Sequence, residues 1–153
     1  MTVEQKLQEL GYALPVLPPS KGIYKKLLID EKHVYVSGHV SVNTDGTYIT
    51  GKLGKDLSEE AGKIAARQCG LGIIATLKEG LGDLGKVKRV IKLLGMVNAT
   101  PDYEKHPIVI NGCSELFAAV WGNDNGIGVR SAVGMGSLPN NVAVEIEVLF
   151  EIY

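Results

Sequence analysis

From Val142 to Tyr153 the chain alternates without a break. Val142, Val144, Ile146, Val148, Phe150 and Ile152 fall on one side, and Ala143, Glu145, Glu147, Leu149, Glu151 and Tyr153 on the other. A period of two with one apolar side predicts a half-buried strand. Upstream, Val129, Ser131 and Val133 alternate with Arg130, Ala132 and Gly134, which predicts a shorter strand. Residues Gly136 to Asn141 between them are rich in turn formers. Paired antiparallel, the two strands would bring Arg130 and Glu145 onto one face within side-chain reach. On spacing alone, such a pair is more often a surface ion pair worth about 0–1 kcal/mol than a site.

The rest of the pattern predicts helices and strands in mixed order. Val3, Leu7 and Leu10 recur at near-helical spacing and Gly11 supplies a stop, so a short amphipathic helix is expected. Pro15, Pro18 and Pro19 then predict an extended connector. Ile23 to Ile29 and His33 to Val42 read as strands, and Thr47 to Thr50 as a short one. Ser58 to about Lys78 reads as the longest helix, capped by Asp56 or Ser58. Gly62, Gly70 and Gly72 each cost that helix about 1 kcal/mol and are expected to let it lie close to a sheet. Lys86 to Val97 predicts a long strand. Asn111 to Trp121 predicts a second helix, with Cys113, Leu116, Phe117 and Val120 along its apolar side. The order implies an α+β fold: a mixed β-sheet with two long helices packed on one face, plus an extra short N-terminal helix. A single domain over 1–153 is expected, with 1–21 as helix and connector and 22–153 as core.

Composition narrows the function classes. Hydrophobic residues make up 45% of the 153 and charged residues 22%, as in an ordinary globular protein. Sixteen basic against seventeen acidic residues argue against a dedicated nucleic-acid binder. No apolar run approaches the ~20 residues that span a bilayer, and no N-terminal signal is visible, so the expected location is the cytoplasm. Cys69 and Cys113 fall in helical stretches and read as reduced core thiols. His33, His39 and His106 show no metal-ligand spacing, and no metal is expected.

Several motifs carry no chemistry. Gly80 to Gly85 spells G-x-G-x-x-G, but a dinucleotide fingerprint must follow a strand and open a helix. Here a helix precedes it and a strand follows, so it reads as a helix exit. Gly51 to Lys55 lacks the phosphate-loop spacing. Lys86, Lys88, Arg89 and Lys92 read as a solvated strand edge rather than an RNA track.

Four segments, in order, resemble the reactive-intermediate deaminase family (the Rid or YjgF type, often labelled "endoribonuclease L-PSP"). Gly22 to Tyr24 sits where the family has a Gly-Pro-Tyr-like turn, and Val34 to Gly38 resembles its strand ending in Ser-Gly. Asn111 to Ser114 resembles the start of its second long helix. Arg130 to Gly134, Leu138-Pro139 and Val144 to Glu147 resemble its C-terminal signature. The resemblance covers Gly22 to Tyr153 and fits best a branch of longer chains with an extra N-terminal segment.

The resemblance implies a chorismate mutase-like fold and a homotrimer with ligand clefts between subunits. The implied activity is hydrolysis of reactive enamines or imines, of the 2-aminoacrylate type, to 2-keto acids and ammonia, with no cofactor. Arg130 would grip the substrate carboxylate, and Glu145 would position the attacking water. Tyr24, Ser37 and Asn111 would line the pocket, although Asn111 is also a good N-cap for its helix. Many deaminase members carry cysteine two residues after the arginine, where this chain has Ala132. The rival readings are a non-catalytic trimer that binds a small carboxylate or a partner, and an endoribonuclease.

Overall fold

A computed structural model describes all of residues 1–153. The elements in chain order are α1 (Val3–Leu10), β1 (Leu27–Asp30), β2 (His33–Val40), α2 (Glu59–Leu81), β3 (Val87–Asn98), α3 (His106–Gly126), β4 (Val129–Met135) and β5 (Val144–Ile152). The strands form one mixed sheet in the order β1-β2-β5-β3-β4. Only β3 and β4 run parallel. Helices α2 and α3 pack on one face, and the alternating apolar side of β5 meets them: Val144, Ile146, Val148 and Phe150 are buried. Phe150, Phe117 and Trp121 form an aromatic trio with ring centroids 5.3–5.8 Å apart. The fold is the α+β arrangement that the periodicity predicts, short N-terminal helix included.

Ser58 caps α2, accepting from the Ala61 amide, and two glutamates follow in the first turn, where the helix dipole favours them. The glycines of α2 do something other than expected. Gly62 faces Leu53 and Val109, and Gly70 faces Leu116, Cys113 and Phe117. They bring α2 close to α3 rather than to the sheet, whereas Gly72 faces Leu17 and the strand residue His39, and Gly80 faces Leu27 of β1. On the α3 side, a methyl at Gly112 would overlap the backbone carbonyl of Lys63. The two helices therefore meet backbone to backbone.

Other boundaries differ from the sequence reading. Residues 23–26 form no strand, and 47–50 make only isolated bridges at Tyr48 and Thr50. Helix α3 begins at His106, so Asn111 lies inside it rather than at its start, and the cap position is Lys105. The helix breaks at Gly122, whose φ is 80°. The basic residues at the start of β3 lie ahead of its pairing with β4, which begins at Lys92, so Lys88 and Arg89 stand on an open strand edge, and both pair with Glu151.

The largest correction concerns the C-terminal strands. Strands β4 and β5 do not pair, because β3 lies between them and bonds to both. The turn formers after β4 carry the chain over β3 instead of folding it back as a hairpin. Arg130 sits opposite Leu93 and Glu145 opposite Met96. Leu93 is on the helix side of β3, and Met96 is on the other. Within one chain Arg130 and Glu145 therefore occupy opposite faces of the sheet.

Candidate functional site

The candidate residues gather in two places. On the helix side, Arg130 of edge strand β4 reaches α3. It donates through Nη1 to Ser114 Oγ (3.0 Å) and through Nη2 to Asn111 Oδ1 (2.8 Å) and the Pro107 carbonyl (3.3 Å). All three acceptors are neutral, and no carboxylate lies within ion-pair distance. The guanidinium is thus held in a fixed orientation with its charge unneutralised and part of its five-donor fork unused. Asn111 owes its place to this arginine rather than to a cap. Ala132, two residues on, packs against the core.

The second place is a compartment of about 480 Å³, and it holds Tyr24, Ser37 and Glu145. A β-bulge builds it. Between Val36 and His39, β2 spends three steps while β5 spends two, from Val148 to Ile146. The bulge re-aims Ser37 and Gly38. A methyl at Gly38 would overlap the Glu145 carboxylate, so only glycine lets that side chain lie against the strand backbone. Ser37 Oγ donates to the Lys25 carbonyl at 2.5 Å, which leaves its oxygen free only to accept. Burial, aided by the like charge of Glu147, pushes the Glu145 carboxyl above its ordinary range. Glu145 has no hydrogen-bond partner within the chain.

His39 pins the bulge. Its Nδ1 lies 2.6 Å from the Ser37 carbonyl and its Nε2 lies 2.7 Å from Thr76 Oγ1 of α2. The carbonyl accepts from Nδ1–H, so Nε2 accepts from the hydroxyl: the neutral tautomer. Burial lowers its pKa, in keeping with that state. Sequence reasoning missed His39, Lys26 and Glu147, all of which line the compartment. Glu147 was readable, since it stands two residues from Glu145 on the same side of a strand. The role of His39 was not, because the bulge inverts its side.

The two thiols are buried, and burial pushes both Cys69 and Cys113 well above the ordinary thiol range, so neither is a nucleophile. Among all residues, no group of His, Cys, Asp and Glu is arranged to hold a metal ion. No helix is long and apolar enough to cross a membrane.

Comparisons with known proteins match the sequence and fold of this chain to a family. A family model described as "YjgF/chorismate_mutase-like, putative endoribonuclease" matches residues 4–150. The chain is 37% identical to Protein TCP17 of Trypanosoma cruzi over 150 residues, covering 98% of this chain and 94% of that protein. It is similar to the crystal structure of Atu1372 from Agrobacterium tumefaciens, described as of unknown function. There the identity is 40%, the TM-score 0.91, and the coverage 99% of this chain and 92% of that one. A Shewanella oneidensis MR-1 structure, described as "a putative endoribonuclease", is 26% identical with a TM-score of 0.93, covering 99% of this chain and 100% of that one. The chain belongs to the YjgF/chorismate mutase-like family, also named for endoribonuclease L-PSP.

Proposed function

We propose that the protein hydrolyses reactive enamine or imine acids to 2-keto acids and ammonia, in clefts that join the Arg130 half-site of one copy to the Glu145 half-site of the next. The observation that carries this reading is the unneutralised Arg130 guanidinium, fixed by three neutral acceptors. Such a group is a ready receptor for a carboxylate, through two charge-assisted hydrogen bonds. Glu145, with its raised pKa and no partner, is suited to take a proton from water. As that water's oxygen bonds to the imine carbon, a carbinolamine forms. The proton passes to nitrogen, the C–N bond breaks and ammonia leaves. The imine carbon is already electrophilic, so the reaction needs no cofactor, and a cysteine at position 132 is not required.

The open face of the sheet supports the assembly. One row across it reads Leu28, Tyr35, Leu149, Lys92 and Val129, strand by strand. Leu28, Tyr35 and Val129 are 50%, 47% and 67% exposed. A largely apolar row of this kind marks a surface that another chain covers, and a homotrimer is the arrangement proposed.

Complementation between two inactive variants tests the reading. Arg130→Ala and Glu145→Gln are each expected to be inactive in pyruvate formation from 2-aminoacrylate. If the halves come from different copies, equal mixing through unfolding and refolding restores about a quarter of the sites. No recovery, with both variants oligomeric, would reject the shared cleft. Ligand binding that needs Arg130, with turnover indifferent to Glu145→Gln, would instead favour the non-catalytic carboxylate binder.

A further inference from the structure

The N-terminal segment ends in the compartment of Glu145. Helix α1 buries Val3 and Leu7, and Lys6 Nζ donates to the Val120 carbonyl of α3 at 2.8 Å. Tyr12 then stacks under Arg67 of α2, with the guanidinium carbon 4.6 Å from the ring centroid. From there the chain crosses the fold as a strap. The Val16 amide donates to the Thr44 carbonyl (3.1 Å), and its carbonyl lies so close to Gly46 that a methyl there would collide with it. Leu17 packs beside Gly72 and His39. The strap is therefore fixed at both ends, and Leu17, Pro18 and Pro19 form a wall of the compartment, which Tyr24 and Tyr48 also line.

Size and charge define what that wall suits. The volume of about 480 Å³ falls within the range of about 300–1,000 Å³ found for sites of drug-sized ligands. A three-carbon imine fills a small part of it. The charged side chains are two lysines, Lys21 and Lys26, and two glutamates, Glu145 and Glu147. Lys21 already lies over the Tyr48 ring, 5.9 Å from its centroid. Cations and carboxylates are balanced, so a charged substrate side chain of either sign gains an attraction and meets a repulsion. An apolar one gains the leucine, the prolines and the tyrosine rings.

We propose that Leu17, Pro18, Pro19 and Tyr48 form a side-chain subsite, which makes this protein select imino acids with bulky uncharged side chains, branched aliphatic or aromatic. The inference rests on the cleft proposed above, because Arg130 must hold the carboxylate for the side chain to enter. It gives the N-terminal helix a function: α1 anchors the strap that shapes the substrate pocket.

Binding of the 2-keto acid products tests this without requiring turnover. Calorimetry on the whole chain would compare pyruvate, 4-methyl-2-oxopentanoate and phenylpyruvate. Burial of each added methylene tightens binding by roughly threefold to fourfold, so at least about a tenfold gain is expected from pyruvate to the branched acid. Leu17→Ala should weaken the branched acid about tenfold and pyruvate by less than about twofold. Should that variant fold poorly, Tyr48→Ala on the same compartment is expected to show the same selective loss. A flat series, or equal loss for both acids, overturns the subsite. If Arg130→Ala abolishes binding in such a flat series, the cleft stands and only the subsite falls. If no acid binds, or binding ignores Arg130, the cleft falls and takes the subsite with it.

Discussion

The two proposed half-sites differ in how much of their hydrogen-bonding capacity the chain itself uses. Around Arg130, α3 supplies three acceptors to one side chain, and the result is a rigid cation. Around Glu145, the bulge supplies a glycine that clears space, a histidine locked to α2 and a serine already committed to the Lys25 carbonyl. The carboxylate is left free. A group that binds profits from being fixed beforehand, since less freedom is lost on association. A group that moves a proton profits from a pKa shifted towards neutrality and from an unused lone pair. The scaffold fixes the first and frees the second.

The largest expected effect separates these roles. Glu145→Gln should lower kcat by about 10²- to 10⁴-fold while leaving pyruvate binding nearly intact, the range for loss of a general base. Arg130→Ala should remove pyruvate binding. Equal effects of both variants on binding would erase the contrast between a holding half and a reacting half. Gly38→Ala comes next. Its methyl would push the carboxylate out of place, and displacement of a reacting group by about 1 Å can cost on the order of 100-fold. In the proposed cleft the Arg130 that holds the carboxylate belongs to the neighbouring copy, so that variant should keep its affinity for pyruvate when the structure stays folded.

The same contrast marks what could be read from the sequence. Strict alternation in β5 identified the helix-facing residues and placed Glu145 on the open face. The strand partners were another matter. A turn-rich segment after β4 looks like a hairpin locally, yet β3 inserts between β4 and β5 because it pairs with both. Non-local pairing of that kind leaves no trace in local periodicity. Asn111 suits a helix start, but the helix runs on to His106 with Pro107 in its first turn, a position proline favours. His39 would face the open side in a regular strand. One extra residue in β2 turns it inward to Thr76, and a Ser-Gly pair is only a weak signal for that bulge.

The raised pKa of Glu145 yields two weaker, linked tests. If its ionised form is the base, kcat should rise with pH through a value above the ordinary glutamate range, and Glu145→Gln should flatten that limb. A rise centred on the ordinary value would mean that burial does not tune this group. Stability should move the other way. The folded state holds the Glu145 proton more tightly than the unfolded chain does. Stability is therefore greatest below the unfolded pKa, falls as pH climbs to the folded one, and is flat above it. Glu145→Gln should melt at a higher temperature than the parent at pH 7, with the gap closing in acid. A less stable Gln variant at neutral pH would show that the carboxylate is favourably held by the fold rather than kept there for chemistry.

The smallest expected effect lies farthest from either half-site. Where α3 breaks at Gly122, the carbonyls of its last regular turn lose their helical donors. Lys6 of α1 supplies one, to Val120. Lys6→Ala should cost about 1 kcal/mol, the usual net value of one such bond, or about 2–4 °C in melting temperature for a chain of this size. Lys6→Met keeps most of the apolar stem and removes the donor. If the loss comes from the hydrogen bond, both variants should melt alike. If it comes from the stem lying over α3, Met should recover most of it. In either case α1 stays docked through Val3 and Leu7, so the preference among keto acids should survive both substitutions. A shifted preference would mean that the anchor at Lys6, and not only the strap beyond it, sets the position of the Leu17 wall.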